Sequence, residues 1–294
     1  MSQVFVLGAS GYIGGSVART LVENGYAVRG LTRDESKASA LSDMGITPVI
    51  GGLDHTDLIK TESQTADIII NAAQSDIPDT IETILYAIQD RGKAFIHTSG
   101  ASVAADLAYG DPTDKIYRDD MPFQPIPERR ARAELDRRIL RGVEWNIRTA
   151  VICPSMVYGT GTGLHADSVQ LPLMIKQART TGIPRYVGRG LNVWSHVHIR
   201  DLQDLYLRAV RQRPQGVFFF AENGETSFKA MAEGIHQKLG TQPPQGFTRE
   251  EASAAWGEHM TAFIMGSNAR VRGFNARKIL GWKPQHTDIS AAIA

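Results

Sequence analysis

Three glycines spaced Gly8-x-x-Gly11-x-x-Gly14 join an apolar run, Val4–Leu7, to a helical pattern carrying Ile13, Val17, Leu21 and Val22. This junction constrains the fold more than any other feature of the chain. In such a turn the first glycine permits the tight bend, the second lets backbone approach a phosphate, and the third allows the helix to pack on the strand. The helix start then offers free N–H groups and the positive end of its dipole. The same glycines could form a packing turn without ligand. At the first strand–helix junction of an alternating chain, the phosphate reading is the stronger one.

The alternation continues through the first half. Apolar runs fall at Val4–Leu7, Tyr26–Leu31, Thr47–Ile50, Asp67–Asn71, Ala94–His97 and Asn146–Ile152, with helical patterns between them. Thr80–Arg91 puts Ile81, Ile84, Leu85 and Ile88 on one stripe. Glu128–Arg141 follows Pro127, a residue suited to a first helical turn, and its expected buried stripe is Ala131, Leu135 and Ile139. The pattern predicts an α/β fold, a Rossmann-type doubly wound parallel sheet covered on both faces. Residues 1–158 form the dinucleotide-binding domain, with a returning strand in the region 186–221, at Val217–Ala221. Residues 159–185 and 222–294 read as a smaller, interleaved C-terminal substrate lobe.

Composition narrows the function classes. With 32 basic and 31 acidic residues the net charge is +1, so there is no global basic field for nucleic acid. A single cysteine, Cys153, forbids an internal disulfide and suits a reducing compartment. No apolar stretch approaches the roughly 20 residues that span a bilayer, and Met1-Ser2-Gln3 enters a strand without a secretory pattern. A cytoplasmic monomer or homodimer that takes a small-molecule substrate is expected, with no nucleic-acid or membrane partner.

The second strand ends Leu31-Thr32-Arg33, where an NAD-binder usually places a carboxylate for the ribose hydroxyls. Arg33 and Lys37 put two cations there, which suits a 2′-phosphate. NADP(H) is therefore the expected cofactor, with NAD possible. The competing reading is a solvated helix start in which Arg33 pairs with Asp34 or Glu35.

Several segments, in order, carry a resemblance over nearly the whole chain. They are Gly8–Gly14, Asn71-Ala72-Ala73, His97-Thr98-Ser99-Gly100, Pro154-Ser155-Met156-Val157-Tyr158-Gly159, Val197-His198-Ile199-Arg200-Asp201-Leu202 and Leu280-Gly281-Trp282-Lys283-Pro284. Together they resemble the extended or atypical short-chain dehydrogenase/reductases, the NAD(P)-dependent epimerase/dehydratase group. The resemblance implies cofactor contacts from the turn residues Gly8, Ser10, Gly11, Tyr12, Ile13 and Gly14. It implies further contacts from Leu53 at adenine, from Ala72 and Ala73 beside Asn71, from Thr98, and from Pro154, Met156 and Val157 at the nicotinamide end. Tyr158 would face the substrate cleft. Where the family usually has an acidic residue for adenine, this chain has Gly52.

The departure concerns the chemistry. Members of the group typically use a serine with a Tyr-x-x-x-Lys pair, the tyrosine as general acid/base. Here Gly100 stands at the serine position between Ser99 and Ser102, Glu128 at the tyrosine and Arg132 at the lysine. Glu128, Arg132 and Asp136 fall at i, i+4 and i+8, which reads as a surface ion-pair ladder. Glu128 beside an arginine is a poor proton donor. Tyr158 is the first candidate donor and Ser99 the second, ahead of Tyr109 and Tyr117. No metal is expected, since His196 and His198 lack further ligands at suitable spacing. Gly159–Gly163 is expected as a mobile cleft rim, and Asp201 as a helix cap.

The expected activity is hydride transfer from NADPH to a small organic carbonyl or related substrate. The alternatives are a dinucleotide-binding redox sensor without turnover, and an NAD(P)-dependent sugar epimerase or dehydratase. The expected pocket lies beyond the strand ends, walled by Ser99, Gly100, Tyr158, His196 and the 160–170 loop.

Overall fold

A computed structural model describes residues 2–293. The first twelve strands in chain order are β1 (Gln3–Leu7), β2 (Ala27–Thr32), β3 (Ile46–Ile50), β4 (Ile68–Asn71), β5 (Ala94–Thr98), β6 (Tyr117–Arg118), β7 (Arg148–Pro154), β8 (Met156–Tyr158), β9 (Arg185–Val187), β10 (Val193–His198), β11 (Val217–Ala221) and β12 (Glu225–Ser227). Eight of the helices are α1 (Tyr12–Glu23), α2 (Ala38–Asp43), α3 (Thr56–Thr65), α4 (Pro78–Ile88), α5 (Arg130–Leu140), α6 (Gln170–Thr181), α7 (Ile199–Gln212) and α8 (Phe228–Leu239). Seven strands form one parallel sheet in the order β11-β7-β5-β4-β1-β2-β3. The order reverses between β1 and β4, so a crevice opens beyond their carboxyl ends.

Strand periodicity explains why both faces are covered. Val4 and Val6 enter a core with Val17 and Leu21 of α1 and with Leu202 and Leu205 of α7. Phe5 and Leu7 point the other way, onto Ile59 of α3 and Ile81, Ile84 and Leu85 of α4. The four residues expected on one stripe, Ile81, Ile84, Leu85 and Ile88, are all fully buried. β11 returns to the edge of the sheet beside β7. The lobe has its own core, in which Met156, Met174, Trp194, Phe228 and Met231 pack together. A small sheet of β12, β10 and β8 links it to the main sheet.

Two local expectations are corrected. α5 buries Ala133, Asp136 and Ile139, while Ala131 is exposed. The inward face packs Ala133 into the lobe core and Ile139 onto the sheet core, and Asp136 between them is satisfied by Ser99 just beyond β5. α7 begins at Ile199, not Leu202, and its cap is His198, whose Nδ1 accepts from the Arg200 N–H at 3.2 Å. Asp201 lies inside the first turn, where its carboxylate accepts from the backbone N–H groups of Gln285 and His286. It anchors the C-terminal segment instead of capping the helix.

Candidate functional site

The glycine turn has the geometry its spacing suggests. Gly8 has φ +84°, and a Cβ there would stand 2.7 Å from the Ala72 carbonyl oxygen. A Cβ on Gly14 would fall on the Gly8 carbonyl oxygen and lie 2.8 Å from its carbon. Both glycines are required by the chain itself. Gly11 differs. It is the N-cap of α1 in extended backbone, and a Cβ there meets only the Gly8 carbonyl oxygen, at 3.3 Å. α1 has no side-chain cap and no acidic residue in its first turn. Its first amides are left without side-chain partners, and the approach to them is open.

A cavity of about 680 Å³ lies on one side of the turn. Gly8, Ser10, Gly11, Arg33, Leu53, Ala72 and Ala73 line it. Arg33 is exposed at its wall and makes no hydrogen bond or ion pair among the described residues. The competing pairing goes to its neighbour: Lys37 Nζ lies 3.6 Å from Asp34, outside the cavity lining. The place of the acid missing at Gly52 is taken from two residues away. A Cβ on Gly52 would run into Asp54 Oδ1, and Asp54 lines the cavity. Sequence reasoning missed Asp54 because the carboxylate arrives by a change of register in a loop.

On the other side of the turn lies a smaller cleft of about 200 Å³. Tyr12, Ile13, Ser99, Gly100, Pro154 and Val157 line it, with Ser102 and Trp194. Tyr12 donates from its hydroxyl to the Gly159 carbonyl at 2.7 Å, and burial pushes its pKa well up. Three of the expected contacts lie beneath the surface. Gly14 sits under the turn, Thr98 shares a 2.6 Å hydrogen bond with the Tyr206 hydroxyl, and Met156 is fully buried in the lobe core.

Behind Ser99 the expected surface ladder is replaced by two separate contacts. Arg132 binds Asp76, from the segment after β4, and donates to Ser102 Oγ at 2.7 Å. Asp136 is buried at 3% exposure and accepts from Ser99 Oγ at 2.8 Å. Burial raises the Asp136 carboxyl to about 7, against the lowering effects of the Ser99 hydrogen bond and of Arg132. Only Glu128 stays exposed, as a ladder residue would. His97 completes the cluster. The Ala73 N–H donates to Asn71 Oδ1, so Asn71 Nδ2 faces His97 Nδ1 at 3.2 Å. That ring nitrogen must accept, which puts the ring hydrogen on Nε2, 4.0 Å from Asp136 Oδ1. Burial drives the His97 pKa down to about 3, so the ring is neutral and this contact is no ion pair.

The other candidates are dispersed. β8 alternates, so Val157 faces the cleft and Tyr158 lines a different cavity, beside His198 and His286. The buried Tyr158 hydroxyl has no partner, and burial pushes its pKa up to about 12. His196 borders a third cavity, with Glu225 and Asp288. The four residues expected to wall one pocket thus divide, Ser99 and Gly100 together, Tyr158 and His196 elsewhere. Tyr109 and Tyr117 pack against the lobe core and line none of these cavities, the first under Arg249, the second beneath Lys115. Cys153 is fully buried. The Gly159–Gly163 loop is pinned to α1: Thr162 N–H donates to Ser16 Oγ at 3.1 Å, and a Cβ on Gly163 would meet the Gly15 carbonyl carbon at 2.6 Å. Its glycines serve close packing, not a moving rim. Among the described residues no group of three His, Cys, Asp or Glu side chains could hold a metal ion, and no helix is long and apolar enough to cross a membrane.

These positions give an expected outcome for Tyr158→Phe. Removing an unpartnered buried hydroxyl should leave stability unchanged or slightly raised. Turnover should stay near wild type, far from the roughly 10²-fold loss that removing a general acid causes. Thermal unfolding and a steady-state rate, measured on one preparation, check both.

Residues 4–219 match the model of the NAD dependent epimerase/dehydratase family. The chain belongs to that family. Among its relatives, "Oxidase ucsJ" of Acremonium sp is 28% identical, covering 96% of this chain and 92% of the relative. A 4-hydroxy-2-methyl-3-oxo-4-farnesyl-3,4-dihydroquinoline-1-oxide ketoreductase of Stigmatella aurantiaca is 26% identical, covering 95% of this chain and 91% of that enzyme. The structure of dTDP-glucose 4,6-dehydratase from Bacillus anthracis, solved in complex with NAD, superposes with a TM-score of 0.77 at 16% identity. That superposition covers 100% of this chain and 94% of the dehydratase, and it establishes the shared Rossmann-type fold.

Proposed function

We propose that this family member is an NADP(H)-dependent oxidoreductase that reduces a small organic carbonyl. The observation that carries the reading is the pair of cavities meeting at the Gly8–Gly14 turn. One has a free arginine at its wall, and the other has a serine hydroxyl at its floor. The cradle fits a pyrophosphate, because α1's first amides are open and the missing side chain at Gly11 leaves the approach to them clear. Arg33 would take the 2′-phosphate, Leu53 and Asp54 the adenine, and Pro154 and Val157 the nicotinamide. When bound, the dinucleotide supplies the hydride. The chain's residues then have to position the carbonyl, exclude water and give a proton to its oxygen. Ser99 is the hydroxyl best placed for that proton.

The relatives named an oxidase and a ketoreductase support redox chemistry. A cleft of about 200 Å³ suits a small ketone or aldehyde. The sensor reading keeps one observation in its favour: the only tyrosine in the cleft, Tyr12, commits its hydroxyl to the Gly159 carbonyl.

Arg33 tests the cofactor assignment. A charge-assisted contact to phosphate contributes roughly 1.5–3 kcal/mol. Arg33→Ala should weaken NADPH binding at least about tenfold and leave NADH binding nearly unchanged, as read by calorimetric titration. Equal losses for both, or a wild-type preference for NADH, would overturn the assignment.

A further inference from the structure

Asp136 stands between two cavities. Its carboxyl reaches the reaction cleft through Ser99 Oγ, at 2.8 Å. It also borders a second cavity of about 370 Å³ behind α5, with Asp119, Phe123, Arg137, Phe218 and Asn275. That second cavity contains none of the residues that line the cleft. Resting on the reductase reading, we propose that Asp136 is the proton source for the reaction, delivering through the Ser99 hydroxyl into the cleft and refilling from solvent through the cavity behind α5.

The step balances as follows. The carbonyl carbon gains the hydride, and its C=O π bond breaks toward oxygen. That oxygen takes the Ser99 Oγ proton and becomes the alcohol hydroxyl. With Asp136 protonated the hydrogen bond reverses, the carboxyl O–H donating to Ser99 Oγ while the Ser99 O–H turns to the cleft; Oγ then takes the Asp136 proton, leaving a carboxylate, and the dinucleotide is left oxidised. The carboxylate regains a proton from water on its other side, so the cleft need not open to solvent between proton transfers. Ser99 touches the substrate in this scheme. Asp136 acts through it and is a positioning and proton-supplying residue.

The surroundings permit a carboxyl to hold a proton near neutral pH. Burial favours its neutral form, and Asp76 adds to that effect. Arg132 and Arg137, on its own helix, oppose it. Arg132 spends its guanidinium on Asp76 and Ser102, and Arg137 on Glu134 and the Phe123 carbonyl, so among the described residues no arginine hydrogen-bonds Asp136. From β5 the neutral His97 points its Nε2–H toward Oδ1 without closing to hydrogen-bond distance. Cys153 on β7 stays a thiol, its pKa pushed up by burial. Asp119, which shares the second cavity, is itself raised by burial.

The test uses three proteins, wild type, Asp136→Asn and Ser99→Ala, with NADPH and a panel of aromatic aldehydes, α-diketones and β-keto esters. Infrared difference spectra across pH should show a carboxyl titrating near pH 7 in wild type, shifted upward in Ser99→Ala, where the lowering hydrogen bond is gone, and absent from Asp136→Asn. NADPH affinity should be the same in all three. Wild-type kcat should fall above the same pH. Asp136→Asn should lose about 10²–10⁴ in kcat and lose that pH limb, and Ser99→Ala should lose a similar factor. If Asp136→Asn does not fold, Ser99→Ala and the wild-type titration decide the matter. Ordinary carboxylate titration at Asp136, or an unchanged pH limb in a variant, overturns the relay alone. Tight NADPH binding with no reduction of any carbonyl overturns the reductase reading and the relay with it.

Discussion

Gly11→Val should abolish dinucleotide binding while the protein stays folded. The backbone at Gly11 is extended and admits any residue, and a Cβ meets only the Gly8 carbonyl oxygen at 3.3 Å. The branched side chain would occupy the space over the open amides of α1, where a pyrophosphate must approach. A loss of at least about 100-fold, roughly 2.7 kcal/mol, is expected in affinity. Gly14→Ala should do the opposite. Its Cβ would fall on the Gly8 carbonyl oxygen, so helix and strand must separate, at a cost of about 1–3 kcal/mol in stability. Urea unfolding and cofactor titration on both variants separate the effects. A folded Gly11→Val protein that binds NADPH as tightly as wild type contradicts the assignment of the turn.

The second large effect is on stability against pH. Asp136 has its carboxyl raised to about 7 in the fold, against about 4 in an unfolded chain. Between those values the folded state holds a proton that the unfolded state has released. The Asp136 contribution to stability should therefore be full below about pH 4 and fall by about 1.4 kcal/mol per pH unit as pH rises toward 7. Above the folded pKa it levels off. The whole change reaches as much as about 4 kcal/mol, an upper bound because other groups relax around the charge. Asp136→Asn, which cannot ionise, should lack this slope. Denaturant unfolding of both proteins from about pH 4.5 to pH 8 measures the difference curve. A difference curve that is flat, or that rises with wild-type stability toward high pH, would show an ionised Asp136 well served by its neighbours.

What was legible in the sequence follows from the range of the interactions involved. The glycine turn, the alternating strands and the α4 stripe are local patterns, and each fixes backbone geometry within a dozen residues. The two-fold burial of β1 also follows from local alternation, once both faces are covered. The cleft beside Ser99 was harder, because it is assembled across long separations. Ser99 meets Asp136 across 37 positions, and Arg132 meets Asp76 across 56. On the sequence, two acids and one base at helical spacing in a charged helix look like a solvated face. Only the packing of α5 against the end of β5 shows that Asp136 is inside. Tyr158 misled for a different reason. Its motif sits in the right place on the chain, but a strand sends adjacent side chains to opposite sides, and Val157 takes the side of the cleft. The Gly159–Gly163 run shows the same limit. Glycines that look like freedom are there because the His198 ring, the Tyr12 ring and the Gly15 backbone lie against Gly159, Gly161 and Gly163.

The most direct test of the central claim is the loss of NADPH absorbance on mixing wild-type protein with the carbonyl panel, with NADH run in parallel and the alcohol product identified. The account predicts carbonyl-dependent oxidation, one alcohol formed per NADPH consumed, and a clear preference for NADPH over NADH. Saturable NADPH binding with no oxidation by any carbonyl would contradict it and leave a dinucleotide-binding protein without turnover.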